Sequence, residues 1–374
     1  MLIGVLKETK DFEKRVAMTP DIVKQLVKKG YSIQVESGAG DTSSFTDQDY
    51  LNSGAQVVSN KDVYSAKIFL KVNIFTLDEI KQIQPESICI SFMYAYTQPL
   101  ILKALMEKKI SAFAMDAVPR ISRAQKMDAL SSQANLAGYK AVILGANALT
   151  KIFPLMMTAA GTITPVKVLI FGAGVAGLQA IATAKRLGAI VEVSDVRPET
   201  KEQVESLGGR FLSVEGSDVV KVEGGYASEI SAEFLAKQKE LIEDKIKDAD
   251  LVITTALVIG KKAPILITEE MVQSMKIGAV IVDLAVESGG NCSLSEFSKT
   301  VVKNGVTIIG KANLPSLLST NASQLYATNI SALLLHLTNN ETFHWDIEEE
   351  ITSGALITHQ GNLVHAFTKQ IVNF

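Results

Sequence analysis

The sequence predicts an α/β protein of two domains, each built around a parallel sheet, and three observations carry that prediction. Strand-like apolar runs alternate with helical patterns from residue 2 to residue 115, the order in which a parallel sheet is assembled. A second series of the same kind starts with the β-rich run Lys167 to Phe171, which leads straight into glycines. After Gly310 the pattern turns helical, which returns the chain to the first domain. The expected boundaries are 1–130 for the N-terminal α/β domain, 131–310 for the second domain and 311–374 for the returning segment.

Taken in order, Leu2 to Leu6 reads as a short buried strand. Thr19-Pro20 then offers a helix N-cap with proline at the first helical position, where its missing N–H is no loss. Ile22, Val23, Leu26 and Val27 share one face of that helix. Gly30 ends it, and Tyr31, Ile33 and Val35 alternate with polar residues as a strand does. Apolar runs at 67–73, 86–92 and 110–115, with a helix-like stretch at 98–108, complete the first series. The second continues with a helix over 176–187 and strands at 189–194, 251–255, 279–284 and 306–310, a doubly wound pattern. Residues 321–337, apolar at Leu325, Ile330, Leu333, Leu334 and Leu337, form a long helix able to return to the first domain. The tail, with Leu363, Val364, Phe367, Ile371 and Val372, is amphipathic and suits the same domain or a partner.

With 47% hydrophobic and 21% charged residues among 374, the chain buries sizeable cores and is not mainly disordered. Its net charge of -3 creates no attraction for nucleic acid or an anionic membrane. Cys89 and Cys292 lack metal-like spacing and suggest neither a zinc site nor a disulfide framework, which fits a reducing cytoplasm. No signal-peptide pattern opens the chain, and no run reaches the ~18 apolar residues of a membrane span. Work at a membrane therefore needs an anchor on another chain.

Gly172-Ala-Gly174-Val175-Ala-Gly177 fits G-x-G-x-x-G, whose glycines serve a tight turn, close approach of a diphosphate, and close packing of helix on strand. The motif alone is weak, but here it follows a strand, opens a helix and leads to a second strand ending in Asp195. That context is the Rossmann-like dinucleotide-binding unit. Amides at the helix start, that of Val175 included, would hold the diphosphate with help from the helix dipole. Asp195 would accept the adenosine ribose hydroxyls and repel a 2'-phosphate, favouring NAD over NADP, although Arg197 keeps that exclusion from being automatic. The bland alternative is a packing turn with a strand-end aspartate as a cap.

All four histidines, His336, His344, His359 and His365, lie near the C-terminus, so neither α/β body contains the usual proton carrier. Oxidising an alcohol or amine moves a proton with the hydride, whereas hydride transfer between two nicotinamides does not. Lys71 or Asp283 could also serve as acid or base. Between the domains, Pro119-Arg120-Ile121-Ser122-Arg123-Ala124-Gln125-Lys126-Met127-Asp128 and the following Ala129 to Tyr139 are unusually rich in hydrogen-bonding side chains. Following the strand at 110–115, they would sit at the C-terminal edge of the first sheet, facing a cleft between the domains, where α/β folds bind ligands. A solvated loop leading into a capped helix is the alternative.

These stretches, with Asp195-Val196-Arg197, Lys201 to Gly208, Gly224-Gly225-Tyr226 and Ala322 to Tyr326, resemble the NAD(H)-binding alpha subunits of the proton-translocating (Re/Si-specific) NAD(P) transhydrogenase family along nearly the whole chain. The resemblance implies two Rossmann-like domains, NAD(H) bound by this chain and NADP(H) on a partner, with direct hydride transfer between them. It implies that Arg120 holds the carboxamide side of the nicotinamide, that Asp128 and Ser131 help orient the ring, and that Gln125 reaches toward NADP(H). The cofactor set carried with it also includes Ile121, Ser122, Gly172, Gly174, Val175, Gly177, Asp195, Val196, Arg197, Ala256 and Leu257. Gly225 and Tyr226 match a mobile loop that closes over the nucleotide, and the polar stretch 215–239 has the composition of one.

The resemblance further implies a homodimer, attached peripherally to the cytoplasmic face of the inner membrane through NADP-binding and transmembrane subunits. Ending at Phe374, the chain resembles the split form of the family. Two other readings compete. Alanine dehydrogenase shares Lys7-Glu8, Arg15 to Pro20 and a lysine like Lys71, but its histidine has no counterpart in Ser91 to Tyr96. An NAD-sensing binding subunit is the non-enzymatic possibility.

Overall fold

The computed structural model describes residues 1–213, 221–223, 226–229, 232–258, 260–339 and 342–372. It divides into two compact units, one of Met1–Gln133 with Ser316–Phe374 and one of Ala134–Pro315.

The first unit holds an eight-stranded sheet in the order Asn362–Leu363, Leu356–His359, Ser111–Ala114, Ile88–Ser91, Ile68–Leu70, Leu2–Val5, Ser32–Glu36, Gln56–Val58. From Ser111–Ala114 onward every pairing is parallel. Successive side chains point to opposite faces, and both faces are buried. Ile3, Val5, Ile68, Leu70, Ile88 and Ile90 join one core with Val23, Leu333 and Leu337. Phe69, Cys89, Ala112 and Ala114 join the other with Leu102 and Leu105. This double burial is why the strands read as unbroken apolar runs. The helix Pro20–Lys28 starts on its proline after Thr19, and Gly30 at φ 92 makes the turn that ends it.

The second unit holds a seven-stranded sheet in the order Arg210–Phe211, Ile190–Ser194, Lys167–Phe171, Leu251–Thr254, Val280–Asp283, Val306–Ile309, Thr300–Lys303. Val168 and Ile170 face one core, Leu169 and Phe171 the other. Counted along the chain, the parallel strands of each unit follow the doubly wound order 3-2-1-4-5-6. The order therefore reverses beside the first strand, Leu2–Val5 in one unit and Lys167–Phe171 in the other, and such a reversal opens a crevice beyond the strands' C-terminal ends.

Three elements depart from the sequence expectation. The segment after the long helix Ser319–Leu337 is not uniformly helical: Leu356–His359 joins the first sheet antiparallel to Ser111–Ala114. Four residues carry no usable periodicity, and their partner strand lies far away in sequence. Thr300–Lys303 pairs back on Val306–Ile309 through Asn304-Gly305, both at positive φ, as a two-residue hairpin turn requires. Met156–Thr158 and Gly161–Ile163 form a separate exposed hairpin, in a stretch for which the sequence gives no strand.

Candidate functional site

The glycine turn lies at the reversal point of the second unit, directly after Lys167–Phe171, and its three glycines differ in what forces them. Gly172 takes φ 98, and a Cβ there would strike Thr255 Oγ1. At Gly177 a Cβ would overlap the Gly172 carbonyl oxygen. Gly174 has an ordinary extended backbone, φ -75 and ψ -172, and a Cβ on it meets no described atom within 4 Å. Its smallness is demanded neither by backbone strain nor by packing against a described residue. Gly174 lies at the start of the helix Val175–Arg186, which no described side chain caps. The N-terminal N–H groups of such a helix are donors in search of an anion. Thr255, which carries no signal in the sequence, braces the turn by donating to the carbonyls of Phe171 at 3.1 Å and Gly172 at 3.2 Å. Gly138 lets the helix Ala129–Ala148 approach it, since a Cβ there would overlap the Ala176 carbonyl.

Asp195, at the end of Ile190–Ser194, is buried against this turn. Its Oδ2 accepts from the Ala173 amide at 2.6 Å and Arg197 Nη2 at 2.8 Å. Its Oδ1 accepts from the Arg197 amide at 2.8 Å and Nε at 3.0 Å. A carboxylate has about four lone-pair positions, so the whole capacity is in use and the charge is compensated by Arg197. A ribose hydroxyl could bond Asp195 only by displacing part of the Arg197 guanidinium. Val196, between them, is half-buried.

On the other side of the turn, Ala256 is held by Asn291. Its amide donates to Asn291 Oδ1 at 3.1 Å, and Asn291 Nδ2 donates to its carbonyl at 2.9 Å. Leu257 beside it is exposed. Asn291, equally silent in the sequence, is in turn fixed by Asp283, which accepts five hydrogen bonds, from Thr254, Ser295 and the amides of Ala285, Asn291 and Cys292. Fully buried and fully bonded, Asp283 is a loop anchor. Gly225 lies outside the described residues. Tyr226 is described in its backbone, as the first residue of a strand paired with Lys221–Glu223.

The polar segment belongs to the first unit. It forms a 3₁₀ turn, Ser122–Met127, anchored by buried Ala124 and Met127. Arg120, Ser122, Arg123, Gln125 and Lys126 are exposed and Ile121 is half-buried. Asp128 and Ser131, both expected to face a ring, bond each other. Asp128 Oδ1 accepts from the Ser131 amide at 2.8 Å and Oδ2 from its hydroxyl at 2.6 Å, which caps the helix Ala129–Ala148.

The reversal point of this first unit has no glycine turn and is filled by its own charged side chains. Lys71 Nζ sits 2.6 Å from Glu79 Oε1 and 4.0 Å from Glu8 Oε2. Arg15 bonds both oxygens of Glu13, at 2.8 and 2.7 Å, and Gln133 at 2.9 Å. Burial pushes the Glu13 carboxyl up, but the Arg15 guanidinium more than reverses this and holds it at about 2. Burial keeps Glu8 above its ordinary value despite Lys71. The two cations are thus committed to carboxylates of the same unit.

Family models described as the N-terminal and C-terminal domains of alanine dehydrogenase/PNT match residues 4–137 and 141–366. An NAD(P) transhydrogenase subunit alpha chain of Rhodospirillum rubrum is 48% identical over 376 residues, covering 98% of this chain and 98% of the relative. The alanine dehydrogenase of Bacillus subtilis is 31% identical over 340 residues, 88% of this chain and 84% of the relative. A solved transhydrogenase structure from Sinorhizobium meliloti superposes with a TM-score of 0.89 at 42% identity, covering 97% of this chain and 100% of that one.

Proposed function

The chain belongs to the alanine dehydrogenase/PNT family, and on that premise we propose that it is the NAD(H)-binding alpha subunit of a proton-translocating, Re/Si-specific NAD(P) transhydrogenase. The observation that carries NAD(H) binding is Gly174, whose missing side chain leaves space at a helix start that no described atom fills. A diphosphate fits that cradle, and Asp195 and Arg197 beside it supply an acceptor and a donor set for the adenosine ribose.

When bound, NADH supplies a hydride from C4 of its nicotinamide to NADP+ held on a partner subunit. This chain's residues bind, orient and keep water away. Gly172, Gly174, Val175 and Gly177 hold the diphosphate, and Asp195, Val196 and Arg197 take the ribose once Arg197 yields part of its hold. Ala256, held by Asn291, and Leu257 border the dinucleotide. Arg120, with Ile121 and Ser122, holds the carboxamide side, Asp128 and Ser131 orient the ring, and Gln125 reaches toward NADP(H). Catalysis is approach and alignment, with reacting atoms brought within ~3–3.5 Å and water excluded.

The ion pairing of the first unit favours this over an alanine dehydrogenase. Arg15 and Lys71 are neutralised by Glu13, Glu8 and Glu79, so neither is available for a substrate carboxylate. Asp283 has no acceptor capacity left for a substrate proton. No described helix is long and apolar enough to cross a membrane. On the proposed function, the chain attaches peripherally to the cytoplasmic face of the inner membrane through NADP-binding and transmembrane subunits that carry the proton. The exposed hairpin, with Leu155 at 54%, Met157 at 76% and Ile163 at 47% exposure, supplies an apolar surface for a homodimer. The test is activity by composition: NADH-dependent reduction of NADP+ should need the partner, and alanine should not be turned over by the chain alone.

A further inference from the structure

We propose that Asn329, on the helix Ser319–Leu337, is a positioning residue that sets the Gln125 turn for hydride transfer, an inference that rests on the functional reading above. Asn329 is 7% exposed and spends both ends of its amide on the polar segment. Nδ2 donates to the carbonyl of Lys126 at 2.8 Å, and Oδ1 accepts from the Ser132 hydroxyl at 2.6 Å. Only one amide orientation satisfies both partners, because a carbonyl can only accept. The two grips bracket Asp128, one on the Lys126–Met127 peptide and the other in the first turn of the helix Ala129–Ala148.

Ala124 and Met127 pack the turn into the core, and Asn329 adds a directional hold on its backbone. The backbone of Ser122–Met127 is bonded in 3₁₀ fashion, with the Ala124 amide donating to the Ile121 carbonyl at 3.0 Å at its start and the Asp128 amide to the Gln125 carbonyl at 3.3 Å at its end, and such geometry is poorer than that of an α-helix. Arg123 reaches Glu349 at 3.1 Å and Glu350 at 3.6 Å, but its side chain is 63% exposed, and an exposed ion pair fixes little. Asn329 is buried and directional, so its grip outweighs the Arg123 pairs. Its own helix is independently secured by fully buried Tyr326, Ile330, Leu333 and Leu334. Loss of the Asn329 amide should therefore loosen the turn without moving the helix.

The test uses the full chain with Asn329→Asp, which keeps the size and the acceptor for Ser132 but loses the donor to Lys126. Asn329→Ala serves if the acid misfolds, and Ser132→Ala removes the other grip. Hydrogen–deuterium exchange of peptides covering 120–131, NADH affinity, and single-turnover hydride transfer with a soluble NADP-binding partner are measured together. Faster exchange confined to 120–131, NADH affinity within about twofold, and transfer slowed roughly tenfold or more are expected, because small misplacements of reacting groups are costly. Ser132→Ala should move exchange and rate the same way by less. Unchanged exchange, transfer within twofold of wild type, or equal losses of affinity and rate would each overturn the assignment. A wild-type chain that transfers no hydride with the partner overturns the functional reading, and the role of Asn329 with it.

Discussion

Substituting the glycines of the turn one at a time separates folding from binding. At Gly177 an added Cβ overlaps the Gly172 carbonyl oxygen, so Gly177→Ala forces backbone movement in a packed turn. Overpacking of this kind costs about 1–3 kcal/mol, which lowers the melting temperature by roughly 2–12 °C at about 2–4 °C per kcal/mol for this size. At Gly174 the added methyl meets no described atom within 4 Å and the backbone is unstrained, so Gly174→Ala costs folding at most about 1 kcal/mol through the helix cap. Its effect should fall on the ligand. Losing even one charge-assisted bond between the diphosphate and the helix amides costs about 1.5–3 kcal/mol, roughly a tenfold to hundredfold weaker NADH affinity. Thermal unfolding and NADH fluorescence titration of both variants check this. Gly174→Ala that melted within a few degrees of wild type and bound NADH with wild-type affinity would refute a diphosphate beside Gly174.

Three further outcomes follow from the same geometry. Gln125→Asn shortens an exposed side chain, so hydride transfer should slow about tenfold or more in single-turnover measurements while NADH affinity holds within twofold; equal effects would remove its role. Glu13 ionises near 2 when folded against an ordinary 4.5, so its pairing with Arg15 stabilises the first unit fully above about pH 4.5 and is lost as pH falls toward 2. That term is on the order of 3 kcal/mol, and Glu13→Gln, which strands a buried guanidinium, should lower stability at neutral pH and flatten the acid limb of denaturation. An unchanged acid limb in chemical denaturation would contradict it. Met157→Asp, placing a charge on the exposed hairpin, should convert a dimer to monomer by sedimentation, with unchanged NADH affinity; a wild-type chain that sediments as a monomer removes the dimer proposal.

The parts of the fold legible in the sequence are those with local causes. Lys167–Phe171 announces itself because both faces of the strand are buried, and the glycines after it because a tight turn leaves few alternatives. The helix Pro20–Lys28 is marked at both ends by Thr19-Pro20 and Gly30. Leu356–His359 is not legible, since its strand character comes from an antiparallel partner at Ser111–Ala114. The Asn304-Gly305 hairpin does carry a turn signal, but its first strand, Thr300–Lys303, is too short and too polar to stand out beside it. In the candidate site, Asp195 can be placed by its distance from the glycine turn, but its engagement by Arg197 on both oxygens cannot. Thr255, Asn291 and Asn329 are ordinary polar residues in sequence, and only three-dimensional proximity gives Asn329 the Lys126 carbonyl as its partner. Lys71 and Asp283 look available for proton chemistry in sequence, because the partners that occupy them, Glu79 and the 285–295 loop, are brought in only by folding.

On the proposed function, hydride leaves NADH on this chain for NADP+ on another. The most direct measurement follows reduction of an optically distinct NADP+ analogue by NADH, with the purified chain alone and with a soluble NADP-binding component, beside an assay with alanine and NAD+. Transfer is expected only when both proteins are present, with no turnover of alanine. Alanine oxidation by the chain alone would contradict it and would require Lys71 or Asp283 to be released from the partners that now hold them.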